Sequence, residues 1–398
     1  MDNRVKWGKV STGFSMLRLR HMSQDIRTFI SPSCELLAFG EPTHLAPDFG
    51  RIRNELFAEL AEHGFRSIAL ETDRAAALAV DDFVQEGIGN LDAVMRDGFS
   101  HTFGELDTNR QLVVWMREYN RRRPAAERLA FHGFDASTEM MSAPSPRPYL
   151  EHARDYLGLD LDLAGLAGAD ERWSRTEAVM DPAVSVGATP EAERLRSIAD
   201  DMLTWLYARA PELIAATSRA AWLRTRTILT AGLGLLRYHK EAANPIEDTP
   251  RWNNMCAIRD SIMAQNLLDL RETERPRGAT LVFAHNSHLQ RNPSSMWLGP
   301  MALNWHSAGA IVGSLLGERY TVVIGSLGRD DAIGLGEPAA DTYEGLLQRQ
   351  IPTWGLTKEV APARTRTDQT PEQGVFPLDQ ASVDAADAVL HVNGRPDL

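Results

Sequence analysis

The stretch "FGEPTH", residues 39–44, sets a carboxylate and an imidazole three residues apart directly after an apolar run, and "IALETD", residues 68–73, brings Glu71 to the end of a second run. This pairing suits general-base chemistry. A carboxylate on one imidazole nitrogen fixes the tautomer and stabilises the imidazolium, leaving the other nitrogen to take a proton from water or a hydroxyl. His44 is therefore the candidate base, with Glu41 and Glu71 as candidate partners. His285 closes the run "TLVFAH" and could offer an N–H to the oxyanion that forms when a carbonyl is attacked. Strand-end capping is its structural alternative, and His288 suits pocket lining. Arg53 and Arg74 could hold a carboxylate or an anionic substrate group in the guanidinium fork, and ordinary salt bridging accounts for them as well. Arg259 shares a helix face with Met263 and Asn266 and could rim the same crevice, while Asp73 and Asp135 read as turn acceptors.

Five apolar, β-branched runs must position these groups: 34–40, 66–72, 128–135, 280–286 and 320–326. Their near-continuous apolar character predicts strands covered on both faces, as in parallel sheets flanked by helices. Ile52, Leu56 and Leu60 predict a helix between the first two, and Leu112, Trp115, Met116 and Tyr119 predict another before the third, opened by a Thr108–Gln111 capping box. After the Pro-rich segment 142–150 the chain reads as helices to about residue 250, with Leu195, Ile198, Met202 and Trp205 on one side of one of them. The expectation is an α/β fold with a mostly parallel central sheet and a helical insertion walling the active-site cleft. Residues 1–141 would form the first half of the core, 142–250 the insertion, and 251–398 the second half with a loop-rich tail. In such sheets ligands sit beyond the carboxyl ends of the strands, where the candidate residues fall.

A chain of 398 residues with 43% apolar side chains can bury a substantial core, and a net charge of -12 excludes a broad nucleic-acid surface. The triplet Arg121–Arg122–Arg123 reads as a solvated helix end. Cys34 and Cys256 read as reduced thiols rather than a disulfide. The N-terminus lacks a signal-peptide pattern, and the longest apolar run, 308–316, is half the length of a membrane span, so a cytoplasmic protein without a membrane partner is expected. The chain contains no G-x-S-x-G elbow, H-E-x-x-H pair, phosphate loop or dinucleotide fingerprint.

Taken in order, "FGEPTH", "GFRSIALETD", "LVVWMREYN", "HGFD", "IRDSIMAQN" and "VFAHNSH" resemble the erythromycin esterase family. The resemblance implies hydrolysis of a macrolactone or other ester without metal or cofactor, in a cleft between an α/β core and helices. Glu41, His44, Glu71 and His285 fall on the family's motif positions, with His44 activating water. A small-molecule ester, lactone or related natural product is the implied partner, and antibiotic resistance a possible role. Three alternatives stay open on the residues alone: acyl transfer or cyclisation using the same histidine, a metal-dependent hydrolase using the Glu and His side chains as ligands, and a small-molecule-binding protein without turnover.

Overall fold

The apolar runs fold as strands β1 (Leu36–Glu41), β2 (Phe65–Asp73), β3 (Ala130–Asp135) and β4 (Ala279–His285), followed by a separate hairpin of β5 (Ser294–Leu298) and β6 (Met301–Trp305), and by β7 (Tyr320–Leu327), β8 (Trp354–Thr357) and β9 (Ala388–Val392). This is a computed structural model describing residues 25–139 and 141–394; the reading of the N-terminus as leaderless lies outside the described residues. Seven strands make one sheet in the order β3-β2-β4-β1-β7-β9-β8. Every neighbouring pair is parallel except β8 with β9.

The mostly parallel sheet is buried on both faces, which explains why its strands lack polar alternation. Leu37 and Phe39 of β1 join one apolar cluster with Phe49, Phe57 and Met116, whereas Leu36 and Ala38 join the opposite one with Met263, Leu267 and Val322. Ile52, Leu56 and Leu60 of the helix Pro47–Glu62 pack into the first cluster as their spacing predicts. The helices Arg147–Leu157, Pro190–Ala208 and Arg219–Ala242 gather an apolar cluster of their own around Leu150, Leu195, Met202 and Leu229. Among the described residues, no helix is long and apolar enough to cross a membrane.

Two local expectations need correction. The helix Asp107–Arg121 starts one residue before Thr108, its N-cap is Leu106 without a side-chain cap, and Thr108 packs on Gly50 instead of capping. Trp205 is 55% exposed, because near the helix end the buried stripe drifts to Leu206. The loop-rich tail also contributes the short strands β8 and β9, the latter fully buried. Arg121 and Arg122 pair with Glu118, and Arg123 with Glu62, as a solvated helix end would.

One close approach sets the sheet beside the candidate site. The Asn286 amide donates to Gly325 O at 2.8 Å and accepts from Gly325 N–H at 2.9 Å, tying the end of β4 to β7 across β1. A Cβ on Gly40 of β1 would stand 2.2 Å from Asn286 Oδ1. Gly40→Ala is therefore expected to lower unfolding free energy in urea by about 2–3 kcal/mol, the scale of losing buried hydrogen bonds. Combining it with Asn286→Ala should cost less than the sum of the two single changes; full additivity would separate Gly40 from this bridge.

Candidate active site

β3, β2, β4 and β1 are consecutive in the sheet, and their carboxyl ends carry Asp135, Glu71, His285 and Glu41 in that spatial order. Glu41 and His285 are register partners, and the backbone N–H of His285 donates to Glu71 Oε2 at 2.8 Å. The turn after β1 then swings His44 over this row. It is fixed from two sides: Pro42 O accepts from His285 Nε2–H at 3.0 Å and from Phe376 N–H at 2.9 Å, and the Thr43 hydroxyl donates to Gln373 O at 2.9 Å.

His44 Nδ1–H donates to Glu41 Oε1 at 2.8 Å, which makes Nε2 the free nitrogen of the neutral ring. Nε2 lies 3.8 Å from Glu71 Oε2, on a side chain 34% exposed to the cleft. That separation is too long for a direct hydrogen bond. Phe103 packs on the ring with centroids 4.9 Å apart. Burial works against the imidazolium, but the charge of Glu71 and the hydrogen bond and charge of Glu41 outweigh it, raising the His44 pKa above its ordinary value. Burial also pushes the Glu41 carboxyl up, against the lowering effect of His44 and Arg53.

Behind this pair the buried acids are neutralised one by one. Arg259 reaches Asp135 with two donors, Nε at 3.0 Å and Nη2 at 2.6 Å, and its Nη2 also reaches Glu71 Oε1 at 3.3 Å. His288 Nδ1–H donates to Asp260 at 3.0 Å, while its Nε2 stands 3.3 Å from both Glu71 Oε1 and Arg259 Nη1. Asp260 also accepts from Trp305 Nε1–H at 2.8 Å and Ala308 N–H at 2.7 Å. Although burial favours their neutral forms, Glu71 is held low by His288, His44 and Arg259, and Asp135 by Arg259 and His101. Against burial, Asp260 and Glu71 raise His288, and Asp135 and Glu71 raise Arg259.

The predicted residues divide into two groups. Glu41, His44, Glu71, His285, His288 and Arg259 come together, and Arg53 lines the cavity beside Glu41. Arg53 donates to Asn109 Oδ1 at 2.9 Å and lies 4.7 Å from the Phe283 ring centroid; burial, opposed by Glu41, lowers it to about 10. Arg74 is elsewhere. It pairs with Asp269 and donates to Asn266 O at 3.0 Å, at a cavity that His44 does not line. His285 also departs from the expected free donor: Nε2–H is engaged with Pro42 O, and Nδ1 accepts from the Ser287 hydroxyl at 2.7 Å and backbone N–H at 3.2 Å. Burial and the neighbouring His44 push it down to about 3, so it is neutral.

Sequence reasoning missed His101. It sits in "GFSHTFGELD", 98–107, which has no usable periodicity. Both His101 (φ 55°) and Thr102 (φ 57°) adopt left-handed backbone, a region that non-glycine residues avoid. His101 contacts Asp135 Oδ2 through Nε2 at 2.9 Å and Glu139 Oε2 through Nδ1 at 2.5 Å, and its backbone N–H donates to Glu139 Oε1 at 3.0 Å. Carboxylates on both nitrogens call for the doubly protonated ring. Despite burial, these contacts raise its pKa to about 9. Among the described residues, no group of three or more His, Cys, Asp or Glu side chains is arranged to hold a metal ion. Cys256, on the cavity wall, is a free thiol, as is Cys34.

The chain is similar to known proteins over most of its length. A family model described as erythromycin esterase matches residues 60–391. Erythromycin esterase type II of Escherichia coli is 24% identical over 269 residues, covering 65% of this chain and 61% of that protein, so the match spans less than two thirds of the relative's length. Similar solved structures include a Bacillus cereus protein (TM-score 0.67, 15% identity, 92% and 90% of the two chains) and a mutant of the erythromycin esterase EreC in its open conformation (0.64, 19%, 93% and 94%). A succinoglycan biosynthesis protein shares the fold as well (0.66, 15%, 93% and 91%). At these identities the structural likeness concerns the fold.

The His101 clasp has a pH signature. A histidine whose pKa rises on folding contributes stability that is complete below about pH 6.5, its unfolded value, and is lost as pH climbs through the folded value of about 9. Asp135, Glu139, Glu71 and Arg259 keep their charges across this window, while the raised His44 and His288 titrate in the same direction. Urea unfolding from pH 6 to 10 should therefore show the stability advantage of wild type over His101→Gln shrinking with pH. A constant difference would mean that folding does not raise the His101 pKa.

Proposed function

Because the chain belongs to the erythromycin esterase family, we propose that it is a hydrolase that cleaves a carboxylic ester or lactone with water activated by His44. The observation carrying this reading is the asymmetry of that imidazole: Nδ1–H is anchored on Glu41, and Nε2 opens onto the cleft 3.8 Å from Glu71 Oε2. A water between Nε2 and Glu71 would be oriented by both. As it attacks the carbonyl carbon, Nε2 takes its proton, and the imidazolium formed is stabilised by Glu41 and Glu71 on either side. When the tetrahedral alkoxide collapses, the acyl C–O bond breaks and His44 passes the proton to the departing alcohol oxygen. The acid product keeps the water oxygen and loses its own proton on ionising.

Charge on the alkoxide falls to the guanidinium of Arg259 on the floor of the same cleft, with His288 Nε2 beside its Nη1 at 3.3 Å. His285 acts as a positioning residue through Pro42 O, and Arg53 through Asn109. No metal enters the scheme. The carboxylates available to ligate one already accept from Arg and His donors, and the base can work alone. Erythromycin, named in the Escherichia coli relative, is one candidate lactone. A resistance role rests on turnover of a macrolide.

His44→Asn should retain a cooperative unfolding transition and lose at least about 10²-fold in kcat. With wild type, kcat/KM should rise as His44 deprotonates, above its ordinary pKa because of its acidic neighbours, and that limb should vanish in the variant. Hydrolysis in ¹⁸O water should label the new carboxylate and resist chelators. An unlabelled product would point to acyl transfer to a hydroxyl, and chelator sensitivity to a metal-dependent route.

A further inference from the structure

His44, Glu71 and Phe103 line two cavities at once, one of about 570 Å³ and one of about 430 Å³. Each falls within the range of roughly 300–1,000 Å³ that takes a small ligand. Phe103 stands between them, packed on the His44 ring at 4.9 Å and on His101 at 5.5 Å. It is held from both sides. Asn109 Nδ2 donates to Phe103 O at 2.9 Å from the Arg53 side, and the His101 ion pairs with Asp135 and Glu139 pin the loop from the other.

The two chambers differ in chemistry. The larger one sets the side chains of Glu105, Asp107 and Gln111 beside apolar Leu45, Phe99 and Phe283, and its arginines are occupied, Arg51 by Asp48 and Arg53 by Asn54 and Asn109. Glu105, Asp107 and Gln111 can accept hydroxyls, and the two acids repel a carboxylate. The smaller chamber is walled by Trp252, Met255, Met296, Leu298, Trp305 and Phe376, from the helix Asp248–Glu274, the β5–β6 hairpin and the tail. Methionine and aromatic side chains make it an adaptable apolar surface. The acids on its floor, Glu71, Glu139 and Asp260, are already paired with Arg259, His101 and His288, so they set no unpaired charge against a carboxylate as it forms.

Resting on the hydrolysis proposed above, we infer that the substrate is an acyclic ester of an apolar carboxylic acid with a polyhydroxylated alcohol. The acid lies in the Trp- and Met-lined chamber, the alcohol in the acidic one, and the ester carbonyl at the His44–Phe103 partition. Cleavage leaves each product in the chamber matching its polarity. A macrolactone fits this division poorly, because its two halves are joined by the ring as well as by the ester and would have to cross the partition twice.

The test compares kcat/KM of the full chain for the glycerol ester of naphthylacetic acid, the glycerol ester of acetic acid, the methyl ester of naphthylacetic acid, and a saturated macrolactone. The first should exceed each of the others by about tenfold or more, the scale of discrimination that apolar pockets and unpaired polar groups provide. Met296→Ser and Leu298→Ser, on the partly exposed inner face of the hairpin, should shrink the preference for naphthylacetate over acetate. Glu105→Gln should shrink the preference for glycerol over methanol. A preferred macrolactone, or equal rates for the three acyclic esters, overturns the inference and leaves hydrolysis at His44 standing. Calorimetric binding of naphthylacetate to His44→Asn separates the opposite case: binding that weakens about tenfold with added Met296→Ser supports the chamber assignment even if no ester is cleaved, whereas no binding overturns it.

Discussion

The buried carboxylate of Glu71 touches four separate parts of the chain, and the geometry around the cleft depends on its staying charged there. It accepts the backbone N–H of His285 from β4, faces Arg259 from the helix Asp248–Glu274, meets His288 beyond the end of β4, and looks across 3.8 Å at His44 after β1. An ionised carboxylate taken out of water is costly unless its charge and lone pairs are met. Each of these contacts is therefore a structural requirement before it is a chemical opportunity. Any rearrangement that withdrew Arg259 would also expose Asp135, to which the same guanidinium is bound by two donors.

That requirement explains the alternation of sign through the site. Glu41, His44, Glu71, Arg259, Asp135, His101 and Glu139 form a chain in which acids and bases take turns, and His288 with Asp260 branches from it. A fully satisfied buried network is rigid because moving one member leaves its neighbours unpaired. Two consecutive left-handed residues, His101 and Thr102, persist in this setting because both nitrogens of the His101 ring and its backbone N–H are engaged. The strain is local, and its product is the placement of Phe103 against His44.

The sheet makes the convergence possible. β4 lies between β1 and β2, so a strand from the second half of the chain enters the gap left by the first crossover. His285 thereby becomes the register partner of Glu41 and the backbone donor to Glu71. The chain between β3 and β4 returns through the long helix Asp248–Glu274, whose Arg259 points to the strand ends while Asn266 donates to Phe134 O at 3.0 Å and Met263 enters the core. One helix face thus serves the ligand side and the core at once.

Much of this was legible in the sequence because it is local. Apolar runs without polar alternation imply strands covered on both faces, and a Glu three residues before His44 implies a fixed tautomer; both follow from neighbours in the chain. The helix spacing of Arg259, Met263 and Asn266 likewise survives into the structure. Tertiary structure decided the rest. Arg74 follows Glu71 closely in the chain, yet the backbone carries it past the strand end toward Asp269, whereas Arg259, 188 residues from Glu71 in sequence, occupies the position facing that carboxylate. His285 looks like a free donor until the turn after β1 brings Pro42 O to its Nε2–H. His101 carries no periodic signal, since its role arises from two carboxylates contributed by the end of β3 and the segment after it. Sequence spacing determines which groups share a face or a turn; which of them keeps a free nitrogen or a free charge depends on partners supplied by distant segments, and burial makes the choice because an unpartnered charge cannot remain there.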